Sequence, residues 1–437
     1  MGGIWLENVH TFKILGLVKI HQCRRQFKLV RQIMIKIGII GKTNTGKTTF
    51  FNAATLLSAE VQPYPFTTKQ PNIGTAHVSE PCVCKEFGVK DNPRNSVCLN
   101  GWRFAPIVLI DLPGLIKGAW MGKGLGNQFL SVAAQSDGLI HLVDASGSID
   151  EDGNLVEPGY GNPISDYFDI EEELVMWYLK LIEGNRKEIE KNLRRTNDLV
   201  EAMLPILSGA KVKRVHIEKA LMVTRLADKD FRNWDIDDSK SFAYFLREIS
   251  KPTIVVANKM DLKGSEENFI KLTKELKDVV VTPASAEAEL VLRRAVQKGL
   301  VEYIPGEEDF KVKDPSRLTE KQKWALEYVR RFVFSKMMRT GVQFALNTLV
   351  FKILGYKMVY PVEDPRRLSD KLGRVLPDVF LMEPNATLSD LARMVHSDLE
   401  KNLIGGIDVR TGLRLPVKYI VKDRDVLNLI VGTKRRK

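Results

Sequence analysis

The chain has 437 residues, 44% of them hydrophobic, which is enough for two or three domains with real cores and excludes a largely disordered protein. A net charge of +12 favours an anionic partner, such as nucleic acid, an anionic membrane surface or a nucleotide, without choosing among them. No apolar stretch reaches the roughly 20 residues that span a bilayer, and four cysteines are too few for a disulfide scaffold. We therefore expect a soluble, cytoplasmic protein with no membrane partner.

Residues 1–33 form an N-terminal extension in which basic and apolar residues are mixed. The segment lacks the charged start, apolar middle and small-residue cleavage site of a secretory signal. Met34 stands directly before the first strand-like run, so we interpret 1–33 as a mis-assigned start, with translation beginning at Met34. A basic amphipathic arm is the alternative.

The segment from Gly41 to Thr48, GKTNTGKT, follows an apolar run at 35–40 and precedes a helix-compatible stretch. Its glycines permit a backbone bend in which successive N–H groups converge on a phosphate at a helix start. Lys47 would neutralise the β- and γ-phosphates, and Thr48 would offer a hydroxyl to Mg²⁺. An ordinary strand-to-helix turn is the alternative. The predicted nucleotide contacts here are Lys42, Thr43, Asn44, Thr45, Gly46, Lys47, Thr48 and Thr49.

Cysteines gather in the next part of the chain. Cys82, Cys84 and Cys98, with His77 nearby, would be able to form a zinc site. The two-plus-two spacing of a structural zinc ribbon is absent, however, so we favour free thiols on a surface hairpin.

Three further motifs each follow a strand-like run. Asp111-Leu-Pro-Gly114 follows 106–110, which places the aspartate where it can hold Mg²⁺ through water and the Gly114 N–H where it can meet a γ-phosphate. Asn258-Lys259-Met260-Asp261 follows 253–257 and offers a carboxylate to both N–H donors of a guanine edge. Ser285-Ala286-Glu287 follows 279–281 and fits a loop that reads guanine O6. Each motif alone would be a common turn or helix cap, but four in this order predict a guanine-nucleotide site.

The strand-like runs, including 138–143, predict a doubly wound α/β domain. Within the long interruption, apolar residues at helical spacing predict one long helix from about Leu174 to Val200, a second near 213–226 and a third near 242–249. The predicted division of the chain is 34–168 and 251–305 for the two parts of the nucleotide domain, 169–250 for a helical insertion, 306–352 for a helical connector and 353–433 for a C-terminal module.

In the connector, one apolar helix face is predicted from Trp324, Leu326, Val329, Phe332 and Val333. The C-terminal module turns strand-rich and fits a compact β-grasp arrangement. Its predicted elements are strands at 356–360, 378–382, 417–421 and 427–431, and a helix at 388–399.

Several of these segments carry a family resemblance. Pro65-Phe-Thr-Thr68, Asp111-Leu-Pro-Gly-Leu-Ile-Lys-Gly-Ala119 and Gly122-Lys-Gly-Leu-Gly-Asn127 resemble the switch segments of Obg-like GTPases. Leu376-Pro-Asp-Val-Phe380 resembles part of a TGS domain. With the helical insertion, these features point to the YchF-related branch in its archaeal or eukaryotic form. That branch is known for a damaged guanine-reading motif and a preference for ATP, whereas the motif ending at Asp261 is intact here, so we expect GTP as the substrate.

The resemblance implies Mg²⁺-dependent hydrolysis of GTP by in-line attack of water. Lys47, Thr68 and Gly114 would be the catalytic set, with Thr48 and Thr68 as the Mg²⁺ ligands. Leu115 stands where many GTPases have a glutamine, so we expect slow intrinsic turnover.

The partner that the resemblance implies is the ribosome or structured RNA. An RNA-binding adaptor with incidental turnover and an ATPase are the alternatives. Asn44 matches an asparagine that resembles a potassium ligand in GTPases lacking the same glutamine; capping a loop hydrogen bond is its alternative role.

Overall fold

The structure, a computed structural model, describes residues 34–56, 61–62, 71–114, 118–121 and 126–432. The N-terminal extension, the predicted site residue Thr68, and Leu115, which stands at the glutamine position, therefore lie outside the described residues. Across the part of the chain that is described, no helix is both long and apolar enough to cross a membrane.

The main sheet has eight strands, and its centre is parallel. The strands are β1 (Lys36–Ile40), β2 (Val61–Gln62), β3 (Asn72–Pro81), β4 (Val97–Leu99), β5 (Trp102–Asp111), β6 (Gly138–Asp144), β7 (Thr253–Asn258) and β8 (Val281–Pro283). They lie in the order β2-β3-β5-β1-β6-β7-β8, with β4 paired to β5. Strands β5, β1, β6, β7 and β8 are parallel, whereas β2, β3 and β4 pair antiparallel. The predicted doubly wound α/β fold is confirmed.

Helices cover both faces of this sheet because the side chains of β1 alternate between two cores. Ile37 and Ile39 pack in the same core as Phe50 and Phe51 of helix α1 (Lys47–Thr55). Ile40 enters the opposite core. The short helix α2 (Val83–Glu86) follows β3, and α3 (Gly126–Ala134) precedes β6. The chain between β1 and α1 is thereby fixed at the edge of the sheet where β1 ends.

Five helices follow β6: α4 (Pro163–Gly184), α5 (Arg186–Thr196), α6 (Leu199–Leu207), α7 (Arg214–Thr224) and α8 (Ile236–Ser250). They share a separate apolar core. The prediction of one long helix from about Leu174 to Val200 is wrong, because the chain breaks twice there. Asn197 adopts a left-handed conformation at φ 52° and ends α5, and the Asp198 carboxylate caps α6 by accepting the Val200 and Glu201 N–H groups.

Beyond β7 the chain forms α9 (Ser265–Glu275), α10 (Ala286–Gln297), β9 (Val301–Glu302), β10 (Lys311–Val312), α11 (Glu320–Val329), α12 (Ser335–Met337) and α13 (Val342–Asn347), with π-helical turns at 330–334 and 348–353. The predicted single apolar face of α11 is wrong in part. Trp324 is 69% exposed and Phe332 37% exposed, whereas Leu326, Val329 and Val333 are buried. Trp324, Tyr328 and Phe332, four residues apart, form a separate aromatic stripe with ring centroids 5.3 and 4.7 Å apart.

The C-terminal sheet is mixed, with its five strands in the order β12-β11-β15-β13-β14. Its elements are β11 (Lys357–Val362), β12 (Phe380–Met382), α14 (Leu388–Val395), α15 (Ser397–Lys401), β13 (Leu403–Asp408), β14 (Arg414–Leu415) and β15 (Val426–Val431). The predicted strand at 417–421 is wrong, since Ile420 forms only an isolated bridge to Thr387. Strand β13 was not predicted. Its Gly406 lets α14 pack closely, because a Cβ there would lie 2.9 Å from the Leu388 side chain.

Candidate nucleotide-binding site

The predicted motifs meet at one edge of the main sheet. Parallel strands end at the same edge, and ligands of doubly wound folds bind in the crevice outside these ends. Asp111 ends β5, Asp144 ends β6 and Asn258 ends β7, while the loop from Gly41 to Gly46 follows β1. These polar residues therefore surround a single site.

The loop before α1 has the backbone bend that phosphate binding requires. Gly46 has φ 96° at the start of the helix, and a Cβ added there would lie 2.4 Å from the Asn258 amide nitrogen. Within the loop, the Thr45 hydroxyl donates to the Lys42 carbonyl at 3.1 Å. The first turn of α1, which includes Thr49, thus presents its N-terminus to the site.

Lys47 folds back onto its own loop. Its ammonium donates to the carbonyls of Gly41 at 3.0 Å and Lys42 at 2.5 Å, and the side chain is buried. Burial, only partly offset by the Asp111 carboxylate, lowers the pKa of Lys47 to about 8. The loop therefore holds a poorly solvated cation that an anionic ligand would stabilise.

Asp111 joins two residues beside the loop. One carboxylate oxygen accepts the Thr48 hydroxyl at 2.8 Å and the Asn72 amide at 3.1 Å. The other oxygen, Oδ1, is buried and has no hydrogen-bond partner among the described residues. An unsatisfied buried carboxylate oxygen beside a threonine hydroxyl is an oxygen donor set of the kind that Mg²⁺ takes.

Gly114 approaches the loop backbone closely. A Cβ at Gly114 would lie 2.9 Å from both the backbone nitrogen and the Cα of Thr43. Only glycine fits at this distance, so the Asp111-to-Gly114 segment can bring its N–H groups next to the loop.

Two side chains of the loop contact the chain that follows β6. The buried Lys42 ammonium lies 2.6 Å from Asp166 and 3.3 Å from Asp169. Burial lowers the pKa of Lys42, but the two carboxylates outweigh it and leave the pKa above the ordinary value. The Asn44 amide nitrogen donates to the Gly153 carbonyl at 3.0 Å. The side chain of Lys42 is thus an anchor to α4, and any nucleotide contact from it would come from its backbone.

The Asn258 side chain ties three predicted motifs together. Its amide nitrogen donates to the Thr45 carbonyl at 2.8 Å, and its amide oxygen accepts the Ala286 N–H at 3.0 Å. One buried side chain thereby fixes the loop before α1 relative to the loop after β8. A single amide performs this role because it both donates and accepts.

Lys259 lies against the end of β6. Its ammonium is 2.8 Å from the Asp144 carboxylate, which is fully buried and also accepts the hydroxyls of Ser146 and Ser148 at 2.6 and 2.7 Å. Sequence reasoning did not select Asp144, although its place at the end of a strand-like run is the same signal that selected Asp111. The carboxylate therefore holds the ammonium at the end of β6.

Asp261 has a partner that sequence reasoning also missed. The Tyr328 hydroxyl, 67 residues away, contacts the Asp261 carbonyl at 3.3 Å and its carboxylate at 3.4 Å. These long contacts place the aromatic stripe beside the carboxylate predicted to read guanine. No local sequence pattern links the two residues.

The loop after β8 is held by α10 and by the connector. The Ser285 hydroxyl caps α10 by accepting the Ala288 N–H at 3.3 Å, and the Ser285 N–H donates to Thr340 at 2.8 Å. Glu287 is exposed. The loop thus has a fixed shape. Its backbone was predicted to read guanine O6, and the Ala286 N–H within it donates to the Asn258 side chain.

Comparison with known families identifies two matching segments. Residues 36–164 match a family model described as a 50S ribosome-binding GTPase. Residues 256–364 match one described as an Obg-like GTPase, YGR210-like, G4 motif-containing domain.

Three individual proteins are similar over most of the chain. A GTP-binding protein of Methanocaldococcus jannaschii is 40% identical over 401 residues, which are 92% of this chain and 100% of that protein. The crystal structure of a GTP-binding protein from Pyrococcus horikoshii superimposes with a TM-score of 0.73 at 30% identity, over 91% of this chain and 100% of that one. The YchF GTPase of Schizosaccharomyces pombe shares the fold, with a TM-score of 0.53 at 19% identity over 91% and 97% of the two chains.

Proposed function

Because this chain belongs to the Obg-like GTPases of the YchF-related branch, we propose that it hydrolyses GTP in a Mg²⁺-dependent reaction and acts as a molecular switch on the ribosome or on structured RNA. The observation that carries the nucleotide part is the Asn258 side chain. It joins the phosphate loop at Thr45 to the predicted base loop at Ala286, so phosphate and base would be held in one site.

The intact motif supports guanine as the base. A carboxylate at Asp261 accepts from guanine N1–H and the exocyclic amine together, a pair that adenine does not offer. Lys259, fixed by Asp144 at 2.8 Å, would lie along the base. Discrimination by such a group is strong once a bound base covers it, because the wrong base leaves the group unpaired.

The donor set beside the phosphate loop supports Mg²⁺. Thr48 would supply its hydroxyl as a ligand, and the free buried oxygen of Asp111 would accept from water bound to the ion. Thr68, outside the described residues, is the second proposed ligand. When bound, Mg²⁺ would neutralise charge on the β- and γ-phosphates.

For the chemical step, we assign Lys47 and the backbone of the phosphate loop to hold the phosphates, and the Gly114 N–H to meet the γ-phosphate. Thr68 belongs to the same proposed set. Catalysis would rest on positioning and charge neutralisation, as in phosphoryl transfer generally. Leu115 cannot orient water, so intrinsic turnover should be slow.

The number of protons taken up when GTP binds should increase as the pH rises. Lys47 has a pKa of about 8 in the empty site, and bound phosphates would raise it. Below pH 8 the lysine is already charged, whereas above pH 8 binding must protonate it. With the titration of free GTP subtracted, calorimetry in buffers of different ionisation enthalpy should give an uptake of about 0.1 proton at pH 7 and about 0.8 at pH 8.5. Equal uptake at both values would contradict this electrostatic assignment.

Tyr328 should contribute to guanine affinity through Asp261. We expect Tyr328→Phe to weaken GTP binding by roughly 2- to 10-fold, because the hydrogen bond to the Asp261 carboxylate is long, at 3.4 Å, and so is worth about 0.5–1.5 kcal/mol. Trp324→Phe on the same aromatic stripe is the matched control and should leave affinity unchanged. In a protein that already carries Asp261→Asn, Tyr328→Phe should cause no further loss of GTP affinity. An equal effect on that background would mean that the tyrosine acts elsewhere.

Potassium is a further proposed cofactor. The Asn44 amide nitrogen is used by Gly153, while its oxygen accepts no hydrogen bond from the described residues. That oxygen would ligate K⁺ beside the α- and γ-phosphates and stabilise the charge developing in transfer. Turnover should be faster in KCl than in matched NaCl for the parent, and this difference should vanish in Asn44→Ala. Equal parental rates in both salts would exclude the role.

Loss of the γ-phosphate would release the segments around Thr68 and Gly114 and so change the surface offered to a partner. The net charge of +12 supports an RNA-containing partner. The C-terminal sheet, which we propose to be a TGS domain, and the helices α4 to α8 offer the additional surface. With the ribosome as its partner, the protein would act in the cytoplasm.

Phosphate release under multiple turnover, with and without ribosomes, tests the switch. We expect ribosomes to stimulate release, and co-sedimentation to be stronger with a non-hydrolysable GTP analogue than with GDP. Lys47→Ala is the control for nucleotide dependence. If ribosome binding does not depend on the nucleotide and ribosomes do not stimulate phosphate release, an RNA-binding adaptor with incidental turnover would be favoured.

A further inference from the structure

A cluster of three cysteines and one aspartate lies at the end of the hairpin formed by β3, β4 and β5, where β3 ends and β5 begins. Cys82 follows β3, Cys84 lies in α2, Asp91 lies in the connecting loop and Cys98 lies in β4. One ligand atom from each residue lies within 4.8 Å of all the others. The three cysteines form no disulfide. The fold, and not a covalent bond, therefore brings their sulfur atoms together.

We infer that Cys82, Cys84, Asp91 and Cys98 form a structural zinc site. A tetrahedral ion with Zn–S near 2.3 Å and Zn–O near 2.1 Å requires ligand atoms about 3.6 to 3.8 Å apart. The Cys84 and Cys98 sulfurs are 3.9 Å apart, and the Cys82 sulfur is 3.3 Å from the Asp91 carboxylate. Small side-chain rotations would suffice to bind one ion. The atoms lie too close together to bracket an iron–sulfur cluster, whose ligands bind separate irons.

The surroundings stabilise such a site. The Cys84 N–H donates to the Cys82 sulfur at 3.5 Å, a contact that favours a thiolate. Three thiolates, one carboxylate and a divalent ion carry a net charge of −2. The fully buried Arg103 guanidinium, 3.0 Å from Asp91, reduces this to −1 and orients the carboxylate.

His77, which the sequence also suggested as a ligand, stands apart from this cluster. It lies within β3 and its backbone carbonyl accepts from Gln343 at 2.9 Å. Asp91 takes the fourth position instead. Asp91 belongs to no cysteine motif, so the spacing of the three cysteines did not indicate it as a ligand.

The proposed site anchors the loop at 91–95. This loop contacts residues 375–379, which directly precede β12 of the C-terminal sheet. Asn92 N–H donates to Val375 at 2.8 Å, Asn95 exchanges two hydrogen bonds with Val379 at 2.8 and 3.0 Å, and Arg94 pairs with Asp378. Because this loop has few hydrogen bonds of its own, a bound ion would order it and so stabilise the contact. Metal binding that closes a loop contributes directly to stability.

Metal content of the purified full-length protein tests the site. We expect about one zinc per chain after dialysis against a weak chelator, and tetrahedral cobalt bands with a thiolate charge-transfer band after exchange for Co²⁺. Cys98→Ser should lose the metal, and Asp91→Asn should bind it at least tenfold more weakly. In a protein expressed from Met1, Cys23→Ser changes the one cysteine outside the described residues and should retain full metal content.

Circular dichroism and GTP binding would show that these variants remain folded. A protein that binds neither zinc nor cobalt while the thiols of Cys82, Cys84 and Cys98 react freely would overturn the inference. So would a Cys84–Cys98 disulfide in the purified protein, or full metal content in Cys98→Ser. For the anchoring role, hydrogen exchange at 88–96 should rise on metal removal; unchanged exchange would contradict it.

Discussion

Lys47→Ala should reduce GTP affinity by roughly 10²- to 10⁴-fold, because the phosphate loop would lose its main counter-charge. The estimate takes two charge-assisted hydrogen bonds to phosphate at about 1.5–3 kcal/mol each. Equilibrium titration with a fluorescent GTP analogue measures the change directly. A variant that still hydrolyses GTP at the parental rate would mean that this loop does not hold the phosphates.

Folding should survive Lys47→Ala, although the side chain is buried rather than solvent-facing. Burial lowers the pKa of Lys47 to about 8, which means that the fold holds its charged form at a cost that alanine removes. The variant loses two hydrogen bonds to carbonyls in exchange. A thermal melt close to that of the parent would separate lost binding from lost structure.

Asp261→Asn should weaken GTP binding by roughly 10- to 150-fold for each mismatched hydrogen bond, at about 1.5–3 kcal/mol. The amide inverts half of the acceptor pattern that guanine N1–H and its amine require. We expect a shift toward xanthosine nucleotides, whose carbonyl replaces the amine. Competition of GTP against xanthosine triphosphate measures the shift, and unchanged GTP affinity would remove guanine reading from this motif.

The strand ends were the most predictable part of the molecule. Predicted runs at 35–40 and 138–143 correspond to β1 and β6, and polar residues directly after such runs meet in the folded protein because parallel strands end at one edge. Asp144 carries the same signal as Asp111, because it directly follows the strand-like run at 138–143. Its partner Lys259 is 115 residues away, and only the fold reveals their pairing.

The predictions were wrong where one helical pattern of apolar residues fits two different structures. From Leu174 to Val200 the apolar spacing continues across Asn197, and only the left-handed backbone and the Asp198 cap divide the helices. In the connector, Trp324 and Phe332 share helical spacing with buried residues but lie on the exposed side of the helix. Periodicity gives the helix, whereas packing decides which stripe is buried.

Contacts between residues far apart in the chain were not predictable from the sequence. Tyr328 reaches Asp261, Asp166 reaches Lys42 across 124 residues, and Asp91 joins cysteines on either side of it. None of these contacts follows a local period or a spacing motif. They depend on how whole elements pack, and so they become visible only once the sheet and its loops are in place.

We propose that the site recognises the guanine base of GTP and hydrolyses the bound nucleotide. Phosphate release from labelled GTP, measured in the presence of a large excess of unlabelled ATP, tests it most directly. We predict that release requires Mg²⁺ and is unaffected by ATP, while unlabelled GTP or GDP suppresses it. Suppression by ATP at the same concentrations as unlabelled GTP would contradict guanine recognition by Asp261 and favour the ATPase alternative.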